Sequence, residues 1–407
     1  MLLAWLLAFT VTRLLPLALT LSPELYGAEV SDPTGDLNRY AGWAQAIVAE
    51  GQAPYREVDI EYPPGALPFV VVPALLGQAR FSPEIFVGMM ILLDAAGFIA
   101  LLALARRTGS YGGVVAWLLL PPVLGVLLYG RLDLIPAVAL LLALERAHAR
   151  RWSTSGVWLG LGAAGKLIPG LFLPLLLLGA AGRRLRVLGG VALGAGVAWL
   201  PFAPHTAELL NDVVGYHNAR GIHLESIWGS VLNLQRIAGG PVALVFEFGA
   251  FHVEGPGAAT MLRWTTIISV GLVVSTALIA TARWWRRPER AGVELPLAVT
   301  ATLALLLGTG RVFSPQFMVW LLATAAVMFT ITPRVALWAG PLLAVIVVLT
   351  AWGYPLGFDL LREGERWPAL VLVYRNVAVI AFGLLLLLQW WRGVEPARPR
   401  SATTKNP

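Results

Sequence analysis

Residues 85–105 read IFVGMMILLDAAGFIALLALA, an apolar run that a single carboxylate, Asp94, interrupts. About 20 consecutive apolar residues cross the hydrocarbon core of a bilayer as an α-helix. Apolar runs of this kind recur along the chain, and the predicted spans are 2–21, 85–105, 112–129, 132–147, 153–165, 167–181, 186–202, 260–282, 292–309, 314–331, 335–353 and 369–391. The sequence therefore predicts an all-α polytopic membrane protein with about 10–12 transmembrane helices. The pair 153–165 and 167–181 fits either two short helices around Lys166 or one broken helix.

The composition of the 407 residues agrees with this fold class and excludes several functions. Hydrophobic residues make up 57% of the chain and charged residues 13%, whereas soluble globular domains carry about 25% charged residues. Cysteine is absent, which excludes disulfides, thiolate metal sites and cysteine nucleophiles. The net charge of +7 is better explained by basic loops that orient membrane helices than by nucleic acid. No nucleic-acid partner is expected.

The basic residues predict the orientation of the helices, because short cytoplasmic loops are rich in Lys and Arg. With a cytoplasmic N-terminus, the inner connections and the tail hold most of the arginines, among them Arg106, Arg107, Arg146, Arg150, Arg151, Arg183, Arg184, Arg186, Arg283, Arg286, Arg287, Arg290, Arg334 and Arg392. Residues 66–77 are apolar but short and contain two prolines, so they predict an interfacial or re-entrant helix on the outer face.

This topology makes 1–391 a single transmembrane domain of a plasma-membrane protein, with both termini cytoplasmic. The outer loops are 22–83, 203–259 and 354–368, and the polar working surface is expected on this extracytoplasmic side. The segment 392–407, RGVEPARPRSATTKNP, is polar and contains proline. It predicts a disordered cytoplasmic tail.

The first outer loop contains a predicted amphipathic helix at 37–50, with Asp36 at its start and Tyr40 on its apolar face. Asp is a favoured helix N-cap, so local sequence alone favours capping over a catalytic role for Asp36. Asp32 precedes a proline and fits a turn. The segment DIEYPP at 59–64 predicts an extended entry into the interfacial helix. Glu61 and Tyr62 would point to opposite sides of it, and local sequence does not separate a structural from a substrate-facing role.

The second outer loop holds a polar cluster within GYHNARGIHLESIWGSVLNL, residues 215–234. His217, Arg220, His223, Glu225 and Ser226 lie close together in the chain. Two histidines six residues apart do not share a helix face, so a zinc site is not predicted. Arginine donates paired hydrogen bonds to phosphate oxygens, so a phosphate-binding segment and an ordinary solvated loop remain the two interpretations.

Further polar residues lie where predicted spans meet the outer face: Arg131, Asp133, Lys166, Arg311 and Gln316. A single Lys or Arg at such a position would simply extend its long side chain to the lipid headgroups. Several of them at separate span ends are consistent with a cavity for an anion. Asp94 is a candidate functional carboxylate because ionisable groups inside spans are costly. Phosphate-binding loops and serine-hydrolase elbows are missing from the sequence.

Five segments, in order, resemble the GT-C glycosyltransferases and specifically glycosyltransferase family 87. They are GDLNRYAGWAQAIVAEGQAPY at 35–55, EYPPGALPF at 61–69, GKLIPGLFLPLLLL at 165–178, ARGIHLESIWGSVLN at 219–233 and RVFSPQFMVWLL at 311–322. Well-known members of the family resemble polyprenol-phosphate-mannose-dependent mannosyltransferases. The resemblance spans most of the chain.

The resemblance implies an inverting enzyme that takes a sugar, mannose in the commonest association, from a polyprenyl-phosphate donor. The acceptor would be a cell-envelope glycolipid or polysaccharide, and membrane lipids would surround the site. Asp36 matches the family's catalytic acidic position in the first outer loop, and His223 is the second candidate for the base. The donor phosphate would contact Arg131, Lys166, His217, Arg220, Arg311 and Gln316. Tyr40, Glu61, Tyr62, Asp133, Glu225 and Ser226 would face substrate.

No cofactor is expected, and the spacing of Asp32 and Asp36, which do not form a closely spaced acidic pair, argues against a metal-dependent variant. Alternatives are a transporter or flippase of lipid-linked sugars, an envelope polysaccharide polymerase or ligase, and a binding or scaffolding protein. A transporter would place its polar groups near the bilayer midplane and show internal repeats. The polar candidates lie in predicted outer loops instead.

Overall fold

A computed structural model describes residues 2–28 and 30–396 of the chain. Residues 393–396 have no regular secondary structure. The rest of the predicted disordered tail, 397–407, lies outside the described residues.

Most of the described residues are helical, and they contain one short hairpin. The helices are α1 (Leu2–Leu21), α2 (Gly35–Ala44), α3 (Leu67–Leu76), α4 (Pro83–Thr108), α5 (Gly112–Leu119), α6 (Val126–Tyr129), α7 (Leu134–His148), α8 (Trp152–Gly165), α9 (Leu173–Gly179), α10 (Arg184–Trp199), α11 (Thr206–Ala219), α12 (Ile227–Ile237), α13 (Ala258–Arg286), α14 (Ala291–Thr309), α15 (Met318–Ile331), α16 (Pro333–Ala351), α17 (Phe358–Glu363) and α18 (Arg366–Arg392). Strands β1 (Ala243–Glu247) and β2 (Ala250–Glu254) pair antiparallel.

Within the described residues, 7 helical segments are long and apolar enough to cross a membrane. They contain α1, α4, α10, α13, α14, α16 and α18. The other expected spans are shorter helices, and among them α7 and α15 are buried along almost their whole length. A helix enclosed by other helices need not reach both membrane faces, because its neighbours bury its apolar surface. The chain is an all-α polytopic membrane protein.

The span expected at 112–129 is not one continuous helix. Helix α5 ends at Leu119, a 3₁₀ turn follows at Pro121–Leu124, and α6 resumes only after Gly125. Pro121 and Pro122 lack backbone N–H groups and cannot continue the hydrogen-bond ladder. Gly125 has φ +58° and ψ −129°, a backbone conformation that favours glycine.

The ambiguous pair at 153–181 consists of two helical pieces that meet at Lys166. Helix α8 ends at Gly165, and Lys166 itself is extended, with φ −161° and ψ 132°. A 3₁₀ segment, Ile168–Phe172, then leads into α9. The break leaves the lysine side chain directed at residues outside its own helix. The expected helix at 66–77 is also confirmed, as α3 after a 3₁₀ turn at Pro64–Ala66.

Helices α8 and α10 approach each other through glycines. A Cβ atom on Gly156 or Gly160 would overlap the backbone of α10 at Val187 or Val191. The same is true of Gly190 against Ser153 of α8. Small residues allow the backbones of membrane helices to pack in close contact. The close pairing of α8 and α10 therefore requires glycine, which has no side chain, at these positions.

Replacing Gly190 with leucine should destabilise the protein by about 1–3 kcal/mol or more, the usual effect of overfilling a packed interface. The measurement is thermal unfolding of the purified protein in detergent. Gly189→Leu is the matched control, because nothing lies within 4 Å of a Cβ built on Gly189. Equal unfolding temperatures for the two variants would contradict the close pairing.

The segments between the long helices gather at one end of the bundle, here called the site end. In the first outer loop, Ser31 donates its backbone N–H and its hydroxyl to Asp359 in the third, at 2.9 and 2.6 Å. In the second outer loop, the Arg236 guanidinium donates to the carbonyl of Leu361 in the third, at 3.2 Å. His223 and His252 form an isolated antiparallel bridge that attaches the hairpin to its own loop. The three loops expected on the outer face thus form one layer.

Candidate active site

A polar cavity of about 310 Å³ lies at the site end, between the loop layer and the ends of the helices. It is lined by Ser31, Asp32, Gly35, Asp36, Arg39, Arg131, His223, Glu225, Phe246, Gly249, Ala250, Phe251, Ser314, Pro315, Gln316, Tyr354, Phe358 and Arg362. Carboxylates, guanidinium groups and aromatic rings from all three loops face the same space. Of the residues expected to form a site, the cavity brings together Asp36, Arg131, His223, Glu225 and Gln316.

Asp36 lies in the first turn of α2, and its carboxylate Oδ2 forms an ion pair with Nη1 of Arg131. Thr34, not Asp36, occupies the N-cap position, so the capping interpretation of Asp36 is wrong. Arg131 also donates from Nη2 to the hydroxyl of Tyr354 at 3.0 Å. Asp36 lines the cavity, and its second carboxylate oxygen accepts no hydrogen bond from the described residues.

The expected amphipathic helix at 37–50 is confirmed as α2 with a π-helical continuation, Gln45–Ala49. The same helix carries Arg39, whose Nη1 lies 3.1 Å from both carboxylate oxygens of Glu61. A Cβ on Gly249, in the hairpin turn, would overlap the Arg39 guanidinium. Glycine therefore allows the hairpin to close over the arginine at the edge of the cavity.

Lys166 and Asp133 form a second ion pair beside the first, with Nζ and Oδ1 separated by 2.9 Å. The ammonium group also faces three aromatic rings. Its Nζ lies 5.1, 4.9 and 4.9 Å from the ring centroids of Tyr62, Phe317 and Trp320. The break after α8 directs the lysine side chain between these three rings. Both residues are largely buried and neither lines the cavity itself.

Glu225 is 5% exposed, yet its carboxylate accepts no hydrogen bond from the described residues. It faces the cavity beside His223, with 4.0 Å between the nearest carboxylate oxygen and Nε2 of the ring. The backbone carbonyl of Glu225 accepts from Arg375 at 2.7 Å and from Asn376 at 3.1 Å, so α18 fixes this turn. A buried carboxylate without a donor is suited to accept hydroxyl groups of a ligand.

Burial sets the protonation states in and around the cavity. It raises the pKa of Glu225 to about 7, against the opposing charges of Arg375 and Arg131. It lowers the pKa of His223 well below its usual value, and the positive charge of Arg220 lowers it further. His217 is shifted the same way, with a pKa of about 4. At neutral pH both imidazoles are therefore uncharged.

The raised pKa of Glu225 predicts a pH dependence of stability. Between pH 4.5 and about 7 the folded protein holds a proton on Glu225 that the unfolded chain has lost. Stability from this group is therefore fully present below pH 4.5, decreases as the pH rises from 4.5 to about 7, and changes no further above that pH. Glu225→Gln should lie within about 1 kcal/mol of the wild type at pH 5 and exceed its stability at pH 8 by up to about 3 kcal/mol.

Thermal unfolding in detergent at pH 5 and pH 8 measures this difference. Glu24→Gln, which alters an exposed carboxyl outside the cavity, is the control. Its stability relative to the wild type should not change between pH 5 and pH 8. A Glu225→Gln variant that is less stable than the wild type at pH 8 would contradict a raised pKa of this carboxyl.

Several expected site residues lie near the cavity without lining it. Arg311 donates to the backbone carbonyls of His217 and Asn218, which holds the end of α11. The side chain of Arg220 stacks over the Tyr216 ring, 5.7 Å from its centroid. The remaining expected residues that do not line it are Tyr40, Glu61, Tyr62, Asp133, Lys166 and Ser226.

Two of these residues are buried in the protein interior. Tyr40 is fully buried beneath α2 and packs against Tyr62 and Phe86. Ser226 is the N-cap of α12, and its hydroxyl accepts from the backbone N–H of Gly229 at 3.0 Å. The hydroxyl of Ser226 thus has a structural partner of its own.

An apolar groove of about 730 Å³ lies beside the Lys166–Asp133 pair. Helices α3, α4, α7, α8 and α10 form its walls, with residues such as Phe69, Leu93, Val138 and Trp158. Two of its lining residues, Gly65 and Ile135, pack against the end of α8 at Ala164 and Gly165, directly before Lys166. A long apolar chain in this groove would thus end close to buried charges.

Sequence reasoning missed Arg39, Asp32, Tyr354 and Arg362 as lining residues. Asp32 was expected only to form a turn, and it does have a left-handed φ of 36°, but it also borders the cavity. Tyr354 and Arg362 come from the third loop, more than 200 residues from Arg131 in the chain. A polar residue at a distant loop carries no local signal of which cavity it joins.

Residues 61–315 match the family model described as Glycosyltransferase family 87. The matched range contains Arg131, Lys166, His223 and Glu225, while Asp36 precedes it. No curated protein matches the sequence. Because the matched range covers more than half of the 407 residues, this membrane protein belongs to glycosyltransferase family 87.

Proposed function

We propose that the protein is an inverting glycosyltransferase that moves a sugar, mannose in the first instance, from a polyprenyl phosphate to a cell-envelope glycolipid or polysaccharide. The observation that carries this proposal is the cavity in which Asp36, paired with Arg131, shares one space with Glu225 and His223. Family membership supports sugar transfer, and the apolar groove beside the buried cations supports a lipid-linked donor.

Asp36 is the proposed general base. Its free oxygen would take the proton of an acceptor hydroxyl as that oxygen attacks the anomeric carbon of the donor sugar. The bond between the anomeric carbon and the phosphate oxygen breaks as the new glycosidic bond forms, so the configuration inverts. The neutral imidazole of His223 is the second candidate for this base.

The leaving group is a polyprenyl phosphate, which gains negative charge as the bond breaks and needs nearby cations. Arg131 lines the cavity and Lys166 lies behind it, toward the apolar groove. Paired cations of this kind would hold the phosphate between the cavity and the groove, with the polyprenyl chain among α3, α7 and α8. Arg220, Arg311 and His217 belong to the adjoining rim, and Gln316 to the cavity wall.

The acceptor would enter from the loop layer, where Glu225 and Asp32 present carboxylates and Phe246 and Phe251 present rings. We place this layer on the extracytoplasmic side and the two termini in the cytoplasm, in agreement with the arginine-rich connections at the other end of the bundle. A flippase of lipid-linked sugars and an envelope polysaccharide polymerase are the alternative functions, and both use similar donors.

The test is transfer of radiolabelled mannose from polyprenyl-phosphate mannose to endogenous lipid acceptors in membranes that contain the protein. We expect a labelled product that membranes without the protein do not form. Polyprenyl-phosphate glucose and arabinofuranose are assayed in parallel to identify the sugar. Movement of the labelled donor across the bilayer without any product would favour the flippase instead.

A further inference from the structure

A second cavity, of about 390 Å³, lies at the end of the bundle opposite the site end. It is formed where α13 ends, α14 begins and α18 ends. Its lining residues are Ala282, Arg283, Arg286, Arg287, Arg290, Glu294 and Trp391. Four guanidinium groups thus face one concavity that contains a single carboxylate.

The buried carboxylate of Glu294 organises the inner wall. It accepts from Arg283 at 3.0 and 2.7 Å and from the indole N–H groups of Trp284 and Trp390, both at 3.1 Å. Arg290 lies 3.7 Å away on the same side. One negative charge is therefore shared between two arginines and two tryptophans.

Arg286 and Arg287 form the outer wall and have no acidic partner among the described residues. Both are exposed at the end of α13. The cavity therefore carries an excess of positive charge, and guanidinium groups in this arrangement suit the oxygens of a phosphate.

The surroundings indicate that this phosphate belongs to a lipid. Trp391 lines the cavity and is 65% exposed, and Trp285, next to Arg286 in the chain, is 86% exposed. Exposed tryptophans at helix ends are typical of the membrane–water interface. Below them, Val270, Val274 and Leu278 form an exposed apolar stripe along α13 that leads to Ala282 at the cavity. The stripe would accommodate an acyl chain.

We propose that this cavity is a binding site for an anionic phospholipid, with the headgroup phosphate among Arg283, Arg286 and Arg287 and an acyl chain along α13. Basic pockets between transmembrane helices bind anionic headgroups in this way. The site is separate from the polar cavity at the site end and does not depend on the reaction performed there.

The test measures the unfolding temperature of the full-length protein in a neutral detergent. Dioleoyl phosphatidylglycerol, dioleoyl phosphatidylcholine or inorganic phosphate is added, and native mass spectrometry counts the lipid that remains bound. We expect phosphatidylglycerol to raise the unfolding temperature by several degrees and phosphatidylcholine to raise it less, because a ligand of the folded state stabilises it by mass action.

The Arg286→Gln/Arg287→Gln double variant should lose this difference while keeping the ion pairs of Glu294. Arg106→Gln/Arg184→Gln is the matched control, with the same change of charge at exposed positions outside the cavity, and it should respond like the wild type. Equal responses to the two lipids, an equal loss in the control, or full stabilisation by inorganic phosphate alone would overturn the proposal.

Discussion

Asp36→Asn is expected to lower the rate of sugar transfer by about 10²- to 10⁴-fold, the usual contribution of a positioned general base. Asparagine keeps the size of the side chain but cannot accept the proton of the acceptor hydroxyl. The assay is initial-rate transfer from the polyprenyl-phosphate sugar with purified protein. Asp59→Asn, the same chemical change at an exposed carboxyl of the same loop, should retain the wild-type rate.

The ion pair between Asp36 and Arg131 gives a competing explanation for such a loss, because an unpaired arginine changes its position. The two explanations differ in binding. A missing base lowers kcat and leaves the affinity for polyprenyl phosphate within a few-fold, whereas a displaced Arg131 weakens that affinity. Transfer at the wild-type rate by folded Asp36→Asn would reject the base assignment and leave His223 as the candidate.

The sequence predicts the first part of this site because the features that form it are local. The helix at 37–50 follows from apolar spacing, and Asp36 stands at its start. The break at Lys166 follows from a Gly–Lys–Leu–Ile–Pro segment within an apolar run. These elements follow from local helix propensity and from the lengths of apolar segments, and both can be read from a single sequence.

The partners of these residues are not local and could not be predicted. Arg39 and Glu61 meet only in the folded chain, where the segment expected to be extended at 59–64 bends at Glu61. Tyr354 reaches Arg131 from the third loop. The hairpin at 243–254 was missed, although ALVFE and AFHVE flank a Phe248–Gly249 turn. Its alternation is short, and its strands are partly exposed, so hydropathy hardly distinguishes it from a loop.

Asp94 illustrates the same limit for a charge inside a span. The sequence suggests a functional role by default but does not name a partner. The structure shows a closed network, in which the Asp94 carboxylate accepts from Arg13 at 2.9 and 3.2 Å, from Trp117 at 2.7 Å and from Tyr129 at 2.8 Å. Arg13 donates further to the carbonyls of Trp117 and Leu118. This saturated pair joins α1 and α4 and does not line the cavity.

Asp94→Asn should therefore destabilise the fold by about 3–5 kcal/mol, because it leaves the buried guanidinium of Arg13 without a counter-charge. Thermal unfolding in detergent measures the effect. The Arg13→Gln/Asp94→Asn double variant removes both charges and should recover a large part of the loss, since two neutral amides do not leave a buried ion unpaired. If Asp94→Asn unfolds like the wild type, or the double variant is the less stable of the two, the pair does not hold α1 against α4. A variant that stays fully folded yet loses sugar transfer would instead return Asp94 to the list of functional residues.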